Sequence, residues 1–337
     1  MQETKALLSQ RIQEGALADG QERSYRQKHY SRLIDAKKLK DLESSANSEQ
    51  FFRAHLTLQA AEGAGAWLTA FPADDDTSVD PALFRICLQR RLRQRVLDRD
   101  CFCPLCGSTM DSYGDHALVC SCGGDRTTRH NVLRNAVYSV AMGGGLRPER
   151  EKQGLLPKRP SEDGVLRQTA GEDSQTVGVL RSMRRPADVF LPRGPTNSPA
   201  ALDFACTSGM RSDMVRHSAA GAETVTSMYE GFKCSFCPAG ETQTTEGLCT
   251  QQGLNFIPMV IESHAGGWGS AARQTLAFIA RSVAAAREEK QEVVSLRIAQ
   301  RMSIALHRET ARAILKRCNV EVSEATPDEL PSSACSN

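Results

Sequence analysis

The feature that most constrains this chain is a run of metal-ligating residues in its first half. Cys103 and Cys106 form a C-x2-C turn, and His116 and Cys120 complete the spacing C-x2-C-x9-H-x3-C. A turn of that length presents two thiolates to one ion, and the later histidine and cysteine complete a tetrahedral set. Four protein ligands leave no open position, and the short segment between them cannot bury a core of its own. The spacing therefore predicts a structural Zn²⁺ knuckle whose folding depends on the metal.

Other cysteines and histidines leave the ligand set partly open. Three neighbours are close enough in sequence to replace one of the four ligands: Cys101, Cys122 and His130. Cys234 and Cys237 repeat the C-x2-C spacing, but the partners that follow them, Cys249 and His264, stand at no spacing typical of a zinc site. We expect this second pair to be ordinary core thiols.

Composition sets broad limits on the class of protein. The chain has 337 residues, 40% hydrophobic and 24% charged, which is typical of a globular protein with room for two domains. Many of its 12 cysteines cluster in residues 101–122, a pattern that favours metal binding in a reducing compartment over a disulfide framework. The N-terminus lacks the apolar core of a secretory signal, and no run of about 18 apolar residues occurs. We therefore expect an intracellular protein without a membrane span.

Patterning along the chain divides it into four parts. Residues 1–98 are charged and helix-favouring, and residues 99–130 contain the knuckle. Residues 131–317 mix apolar strand-like runs with helical periodicity, which predicts an α/β (α+β) domain with a small central mixed sheet flanked by helices. Within that domain, residues 157–184 are polar and without period, which predicts a disordered insertion. Residues 318–337 should form a loose tail.

A basic helix is predicted just before the knuckle. From Pro81 onward, apolar residues recur at four-residue steps and predict a buried seam: Phe84, Leu88, Leu92 and Val96. Four arginines lie beside this seam: Arg90, Arg91, Arg93 and Arg95. These arginines are candidates for binding the backbone of nucleic acid, because a guanidinium matches phosphate oxygens well. The net charge of the chain, only +2, gives no sign of such a role. A solvated helix face is the alternative.

Four further patterns predict the other elements of the domain. Residues 131–142 have a helical pattern that ends at Gly143. Apolar residues recur at helical spacing over 222–236. Residues 256–261 form an apolar run in which Pro258 favours an edge strand or a bulge. Residues 270–326 contain neither Gly nor Pro, which predicts long closing helices.

Two aspartates lie within apolar, strand-like runs, where an unpaired carboxylate is costly. The loop between these runs is centred near Thr196, so reflection through it places Asp188 and Asp203 beside each other on adjacent strands to within one residue. Two carboxylates this close share a proton or bind a cation, and hard oxygen ligands with open positions suit Mg²⁺. Lys233, on the predicted helix that follows, could reach the strand ends; an exposed lysine is the alternative.

The order of these motifs resembles a known family. The segments Arg185-Pro186-Ala187-Asp188, Leu202-Asp203-Phe204 and Tyr229-Glu-Gly-Phe-Lys233 follow the knuckle, as in the C-terminal region of site-specific non-LTR retrotransposon proteins. That region joins a CCHC zinc knuckle to a restriction-like endonuclease of the PD-(D/E)XK superfamily. The chain is also similar to retroelement-derived proteins of protists, through Ala64-Gly-Ala-Trp-Leu68 and Cys103-Pro-Leu-Cys-Gly107. The resemblance spans residues 64–317 and implies a restriction-endonuclease-like fold.

The resemblance also implies roles for particular residues. Asp188 matches the first acid of the family motif and Asp203 the second. The motif lysine is missing, because position 205 is alanine, and Lys233 on the following helix is its stand-in.

A further acid upstream is part of many such sites. Glu151 matches this upstream acid in the present sequence, and Glu149 is the alternative. Glu262 could be another ligand, or it could be the polar start of a turn that caps a helix.

We therefore predict an endonuclease that hydrolyses phosphodiester bonds with Mg²⁺, held by Asp188 and Asp203, and that acts on DNA rather than RNA. The resemblance implies a nuclear location. The alternative is a catalytically inactive nucleic-acid-binding module or a retroelement remnant.

Overall fold

A computed structural model describes residues 27–46, 49–157, 186–238 and 242–318. The predicted insertion and the predicted tail therefore lie almost entirely outside the described residues. The helices are α1 (Gln27–Ala46), α2 (Gln50–Gln59), α3 (Pro81–Arg91), α4 (His116–Val119), α5 (Asp125–Gly143), α6 (Val215–Ala220), α7 (Thr224–Ser235), α8 (Thr245–Gln251), α9 (Ser270–Arg287) and α10 (Gln291–Arg317). The strands are β1 (Cys101–Phe102), β2 (Thr109–Met110), β3 (Glu149–Arg150), β4 (Val189–Leu191), β5 (Ala200–Thr207) and β6 (Asn255–Glu262).

The described chain is mixed α and β, as predicted, with a four-stranded mixed sheet at its centre. The strands lie in the order β3-β4-β5-β6; β3, β4 and β5 pair antiparallel, whereas β5 and β6 pair parallel. Strand β6 is the edge, which confirms the prediction from Pro258, because proline cannot donate to a further strand. A separate two-stranded hairpin, β1-β2, belongs to the cysteine-rich segment.

The register of β4 against β5 brings the two predicted aspartates together. Val189 pairs with Leu202 and Phe190 with Ala201, so the next position outward sets Asp188 against Asp203. This confirms the register expected from the loop to within one residue. Side chains alternate between the two faces of a sheet, and Asp188 and Asp203 therefore share the face of Phe190 and Ala201.

Helices cover both faces of the sheet. The larger core joins strands β4, β5 and β6 to helices α5, α9 and α10. A smaller cluster on the other face includes Phe190, Ala201 and Cys249, the last from α8. The long closing helices are confirmed, and Val294 and Met302 of α10 are buried as their spacing predicted. Helix α5 ends at Gly143, also as predicted.

Helix α7 also forms where the periodicity placed it, but its apolar face is buried only at one end. Val225 lies in the core, whereas Phe232 is 52% exposed and its ring contacts those of Tyr229 and Phe236. The pattern therefore predicted the helix correctly and overstated its burial.

The basic helix α3 differs from its prediction in length and in orientation. It ends at Arg91, and the predicted seam is wrong because Leu92 is 64% exposed. The face that is buried consists of Leu83, Ile86, Cys87 and Arg90. These positions follow the i, i+3, i+4, i+7 pattern of a helix face, and the arginine among them hid that pattern from a search for apolar residues.

Arg90 is the centre of a buried polar network. Its guanidinium, 6% exposed, donates to the Tyr113 carbonyl (2.6 Å), to Asp115 Oδ1 (3.2 Å) and to His264 Nδ1 (2.8 Å). Since arginine can only donate, His264 accepts at Nδ1 and carries its proton on Nε2, which then donates to His55 Nδ1 at 2.8 Å. One side chain thus ties helix α3 to the cysteine-rich segment, to the turn after β6 and, through His55, to α2.

Replacing Arg90 should therefore destabilise the whole fold. We expect Arg90→Ala to lower the free energy of unfolding by about 3–5 kcal/mol, because it leaves the Asp115 carboxylate buried with one cation fewer. Arg95→Ala removes an exposed guanidinium five residues away and should change the free energy by less than about 0.5 kcal/mol. Urea titrations of both variants measure the difference, and equal values would contradict the network.

Candidate functional site

The cysteine-rich segment gathers the four residues that its spacing singled out. The ligand atoms of Cys103, Cys106, His116 and Cys120 all lie within 4.8 Å of one another, with Cys106 Sγ 3.3 Å from His116 Nε2. In a tetrahedral site with Zn–S bonds of about 2.3 Å, ligand atoms lie about 3.8 Å apart. The set could therefore hold one metal ion. Cys101, Cys122 and His130 are not part of it.

Two local devices position these ligands, and the first is the hairpin β1-β2. The Cys103 amide donates to the Ser108 carbonyl, and the Gly107 amide donates back to the Cys103 carbonyl, each at 2.8 Å. Gly107 has a φ of +72°, a left-handed conformation that glycine adopts at little cost. The tight turn brings the thiols of Cys103 and Cys106 to one side.

The second device is the carboxylate of Asp111, which sequence reasoning missed. It accepts hydrogen bonds from the amides of Tyr113 (3.0 Å), Asp115 (3.0 Å) and His116 (2.8 Å). These bonds fix the start of α4, the helix whose first residue is His116 and whose last turn leads into Cys120. An aspartate a few residues before a short helix was the available signal.

The cysteine-rich segment is docked on the C-terminal half of α10. Its buried residues share one core cluster with Ile304, Ile314 and other residues of that helix. Arg317 donates to Asp125 Oδ2 at 2.8 Å and to the Cys122 carbonyl at 3.2 Å. The segment therefore shares its buried apolar core with the rest of the protein.

The second site lies where β4 and β5 run side by side. Lys233 Nζ, from α7, is 2.6 Å from Asp203 Oδ2, and both side chains are about one-quarter exposed. Asp188 Oδ1 is 3.3 Å from His130 Nε2 of α5, and Asp188 Oδ2 accepts from the Phe204 amide at 2.7 Å. Lys233 is therefore not an exposed lysine without a partner, which was the alternative predicted from the sequence. His130 contacts Asp188 of the acid pair rather than the cysteines.

The surroundings shift the pKa values of the two carboxylates in opposite directions. Burial raises the pKa of Asp203, and the nearby Asp188 raises it further, while Lys233 offsets part of the effect. For Asp188, burial acts in the same direction but is outweighed by the hydrogen bond and charge of His130 and by the Phe204 amide, so its pKa is lowered. Two carboxylates held in such different environments can play different roles at one site.

The predicted upstream acid is near this pair but is engaged elsewhere. The Glu151 amide donates to the Asp188 carbonyl at 3.1 Å, yet its carboxylate is 2.6 Å from Arg134. Glu149 is 2.7 Å from Lys152. Among the described residues, the cysteine cluster is the only group of three or more cysteine, histidine, aspartate or glutamate side chains whose ligand atoms all lie within 4.8 Å of one another. Asp188 and Asp203 therefore do not form such a group with His130, with Glu151 or with any other described residue.

Glu262 has a structural role. Its side chain, 1% exposed, accepts hydrogen bonds from the amides of Gly209 (2.9 Å), His264 (2.9 Å) and Ala265 (2.7 Å). Burial still raises the pKa of this carboxyl. Of the two roles left open by the sequence, the structure supports the capping of a turn.

The predicted phosphate-binding arginines are mostly committed to the protein itself. Arg90 is buried, Arg91 donates to the Gln59 side chain, and Arg93 pairs with Asp115 at 2.8 Å. Arg95 alone of the four is classed as exposed. For Arg90 the prediction of a phosphate-binding role is corrected, because a guanidinium with its donors used inside the fold cannot meet a phosphate.

Among the described residues, the second C-x2-C pair forms no metal cluster with the partners considered for it. Cys234 packs against the small core cluster that contains Cys249, and His264 is bound to Arg90 and His55. Cys237 is exposed. Cys234 therefore packs against the core as expected, but the expectation of a core thiol is wrong for Cys237.

Comparison of the chain with protein-family models, curated proteins and solved structures finds no match. Among the described residues, no helix combines the length and apolar character needed to cross a bilayer.

The ligand set predicts which cysteines retain metal. Cys106→Ser should lose about one equivalent of bound metal per chain, because one of four ligands is removed. Cys122→Ser is the matched control, since that thiol is outside the set while its backbone carbonyl contact to Arg317 remains. Elemental analysis of both purified variants measures the metal. Equal loss from both, or from neither, would refute the assignment.

Buried histidines predict a loss of stability in mild acid. Burial lowers the pKa of His55 and of His307 from 6.5 to about 3. Between those values the unfolded chain binds protons that the folded chain does not, so the free energy of unfolding falls as pH falls below 6.5, by up to about 1.4 kcal/mol per pH unit for each histidine.

Denaturant titrations between pH 7 and 5 measure this slope, with bound metal followed in parallel because metal ligands also protonate in acid. His307→Gln should reduce the slope by up to about 1.4 kcal/mol per pH unit, and His217→Gln, on α6, should leave it unchanged. A slope unaffected by His307→Gln would contradict the account.

Proposed function

We propose that this chain is a metal-dependent nuclease that hydrolyses phosphodiester bonds in nucleic acid, with DNA as the favoured substrate. The observation that carries the proposal is the ion pair of Lys233 with Asp203 beside Asp188. Three residues distant in sequence meet at one place, and they are the two acids and the displaced lysine that the retrotransposon resemblance requires. The mixed sheet flanked by helices is compatible with the restriction-endonuclease-like fold that the resemblance implies.

The cysteine cluster is proposed to hold structural Zn²⁺. Three thiolates and one imidazole are a donor set that suits zinc, and they fill a tetrahedral shell without an open position. A closed site binds no substrate, so its contribution is to fix the segment against α10 and to hold Asp115 in place beside His116.

In the second site, the carboxylates of Asp188 and Asp203 would hold Mg²⁺ or a similar divalent ion. Such an ion, when bound, supplies an activated water and stabilises negative charge on phosphate. Lys233 holds a positive charge at Asp203 and can offset charge that develops on the phosphate in the transition state. The Phe204 amide fixes one oxygen of Asp188, so the carboxylate keeps its orientation without help from the substrate.

One exposed arginine near His130 replaces Arg90 as a candidate for contacting the backbone of nucleic acid. Arg126 lies on α5 one turn before His130, whereas Arg150 of β3 pairs with Val189 on the other face of the sheet and stacks on the Tyr138 ring. Helical residues four apart share a face, so Arg126 and His130 point the same way. Contacts of this kind position a strand without selecting its sequence.

One observation favours a second candidate function, a nucleic-acid-binding module without nuclease activity. Glu151 is paired with Arg134, and no third carboxylate of the described residues forms a cluster with Asp188 and Asp203. A site with two acids binds a divalent ion less firmly than one with three. Cleavage assays distinguish the two functions.

If the nuclease proposal holds, Asp188→Asn and Asp203→Asn should each reduce nicking of supercoiled DNA by about 100-fold or more, because each removes a metal-ligating oxygen. Asp213→Asn is the matched control: this exposed carboxylate is paired with Arg211 and should leave nicking unchanged. Full-length proteins are compared with Mg²⁺ and with Mn²⁺. Equal residual cleavage in all variants would point to a contaminating nuclease, and binding without cleavage would favour the second function.

A further inference from the structure

A row of exposed aromatic rings lies on helix α7. The centroid of the Phe232 ring is 5.7 Å from that of Tyr229 and 5.7 Å from that of Phe236, and the planes of neighbouring rings are tilted by 53° and 49°. Phe232 is 52% exposed and Phe236 is 45% exposed. Adjoining exposed rings, unlike apolar residues scattered singly, typically mark a surface that binds another molecule.

The aromatic row, Tyr229, Phe232 and Phe236, lies on the side of α7 that carries Lys233. Tyr229 stands four residues before Lys233 and Phe236 three residues after it, and residues at these spacings are neighbours on a helix. Phe236 is the C-cap of the helix. Lys233 Nζ is 2.6 Å from Asp203 Oδ2. A ligand on the aromatic row is therefore about one helical turn from the acid pair.

The contacts that hold α7 to the protein lie on another face of the helix. Val225 and Thr226 are buried in its first turn, and Cys234 packs against the small core cluster. Phe232 is two residues before Cys234, and residues at that spacing do not share a helix face. The exposed rings are therefore not needed to anchor the helix, and substitutions of Phe232 should leave the fold intact.

Flat rings beside a cation suit a strand of unpaired nucleotides. Every nucleobase has a π face that stacks on an aromatic ring, and positive side chains follow the phosphates between the bases. Lys233 is one such cation, and Arg126, exposed on α5 one turn before His130, is another. The bases of a duplex are already stacked on each other, so their faces reach a protein ring only after unstacking. The surface therefore fits a single strand better than a duplex.

We propose that the aromatic row is a stacking surface for unpaired nucleobases, and that the substrate of the acid-pair site is nucleic acid with a single-stranded segment. The second statement rests on the proposed function, whereas the binding surface needs neither cleavage nor a metal ion. Stacking does not depend on which base is present, so the surface selects single strands over duplexes and does not select a sequence.

A second copy of this chain is the other occupant that exposed rings would fit. A contact between protein surfaces requires apolar area, which leucine supplies as well as phenylalanine does. A stacked base requires the flat ring. Phe232→Leu and Phe232→Tyr therefore separate the two occupants, because the first removes the aromatic ring and the second keeps it.

The experiment uses the zinc-replete full chain without added Mg²⁺, so that binding is measured apart from cleavage. The probes are a fluorescein-labelled oligothymidylate of about 12 nucleotides and the same strand paired with its complement, and fluorescence anisotropy measures the Kd of each. The variants are Phe232→Ala, Phe232→Leu and Phe232→Tyr. Phe71→Ala is the matched control, because Phe71 is 80% exposed and lies between α2 and α3.

We expect the wild type to bind the single strand at least about fivefold more tightly than the duplex. The Kd for the single strand should rise by about fivefold or more in Phe232→Ala and Phe232→Leu, and by less than about twofold in Phe232→Tyr and Phe71→Ala. The Kd for the duplex depends on phosphate contacts and should change by less than about twofold in every variant.

Three results would overturn the proposal. The first is a wild type that binds the duplex as tightly as the single strand, and this comparison decides even if a variant fails to fold. The second is single-strand binding that Phe232→Ala and Phe232→Leu leave unchanged. The third is a dimer, seen by sedimentation, that Phe232→Ala dissociates while oligonucleotide binding stays the same, because the occupant is then a second copy of the chain.

The same measurements separate this inference from the nuclease proposal. Single-strand binding that depends on Phe232, in a protein that does not nick DNA with Mg²⁺, supports the stacking surface and refutes the nuclease. Nicking that depends on Asp188 and Asp203, in a protein whose single-strand binding does not depend on Phe232, supports the nuclease and overturns the stacking surface.

Discussion

The buried guanidinium of Arg90 is the interaction on which the arrangement of this protein depends. It is shared among the Tyr113 carbonyl, Asp115 and His264, and Arg93 adds a second cation to Asp115 from the other side. Burial raises the pKa of Asp115, and the two arginines oppose that shift. A charge network of this kind adds less stability than its contacts suggest, but losing one partner leaves an uncompensated charge inside the protein. It therefore selects one arrangement of the parts it joins.

Through this network and through helix α5 the two sites become parts of one structure. Asp115 directly precedes His116, so the network that holds Asp115 also positions the cysteine–histidine cluster. Helix α5 begins beside the cysteines, where Arg129 donates to the Leu118 carbonyl at 2.7 Å, and one residue later presents His130 to Asp188. The proposed structural ion and the proposed catalytic site are therefore joined by a single rigid element. Loss of the first ion would be expected to disturb the second site through α5.

Local patterns predicted the parts of the site that depend on short-range geometry. The ligand spacing selected Cys103, Cys106, His116 and Cys120 because a tetrahedral ion needs two ligands on one turn. The loop length placed Asp188 near Asp203 because antiparallel strands pair by reflection about their connection. The prediction for helix α3 was wrong for the opposite reason: an arginine on its buried face is satisfied by partners from two distant segments, which no local pattern contains.

By itself, the sequence indicated the four residues of the cysteine–histidine cluster, the strand pair with its two acids, and the long closing helices, because each follows from spacing over a few residues. Only the tertiary structure showed that Arg90 is buried, that Lys233 pairs with Asp203, and that His130 contacts Asp188 rather than the cysteines. It also showed that Glu151 pairs with Arg134 and that the Glu262 carboxylate accepts hydrogen bonds from the amides of a turn. The physical reason is that the partner of a charged side chain is set by which elements pack together, and that packing is a property of the whole chain.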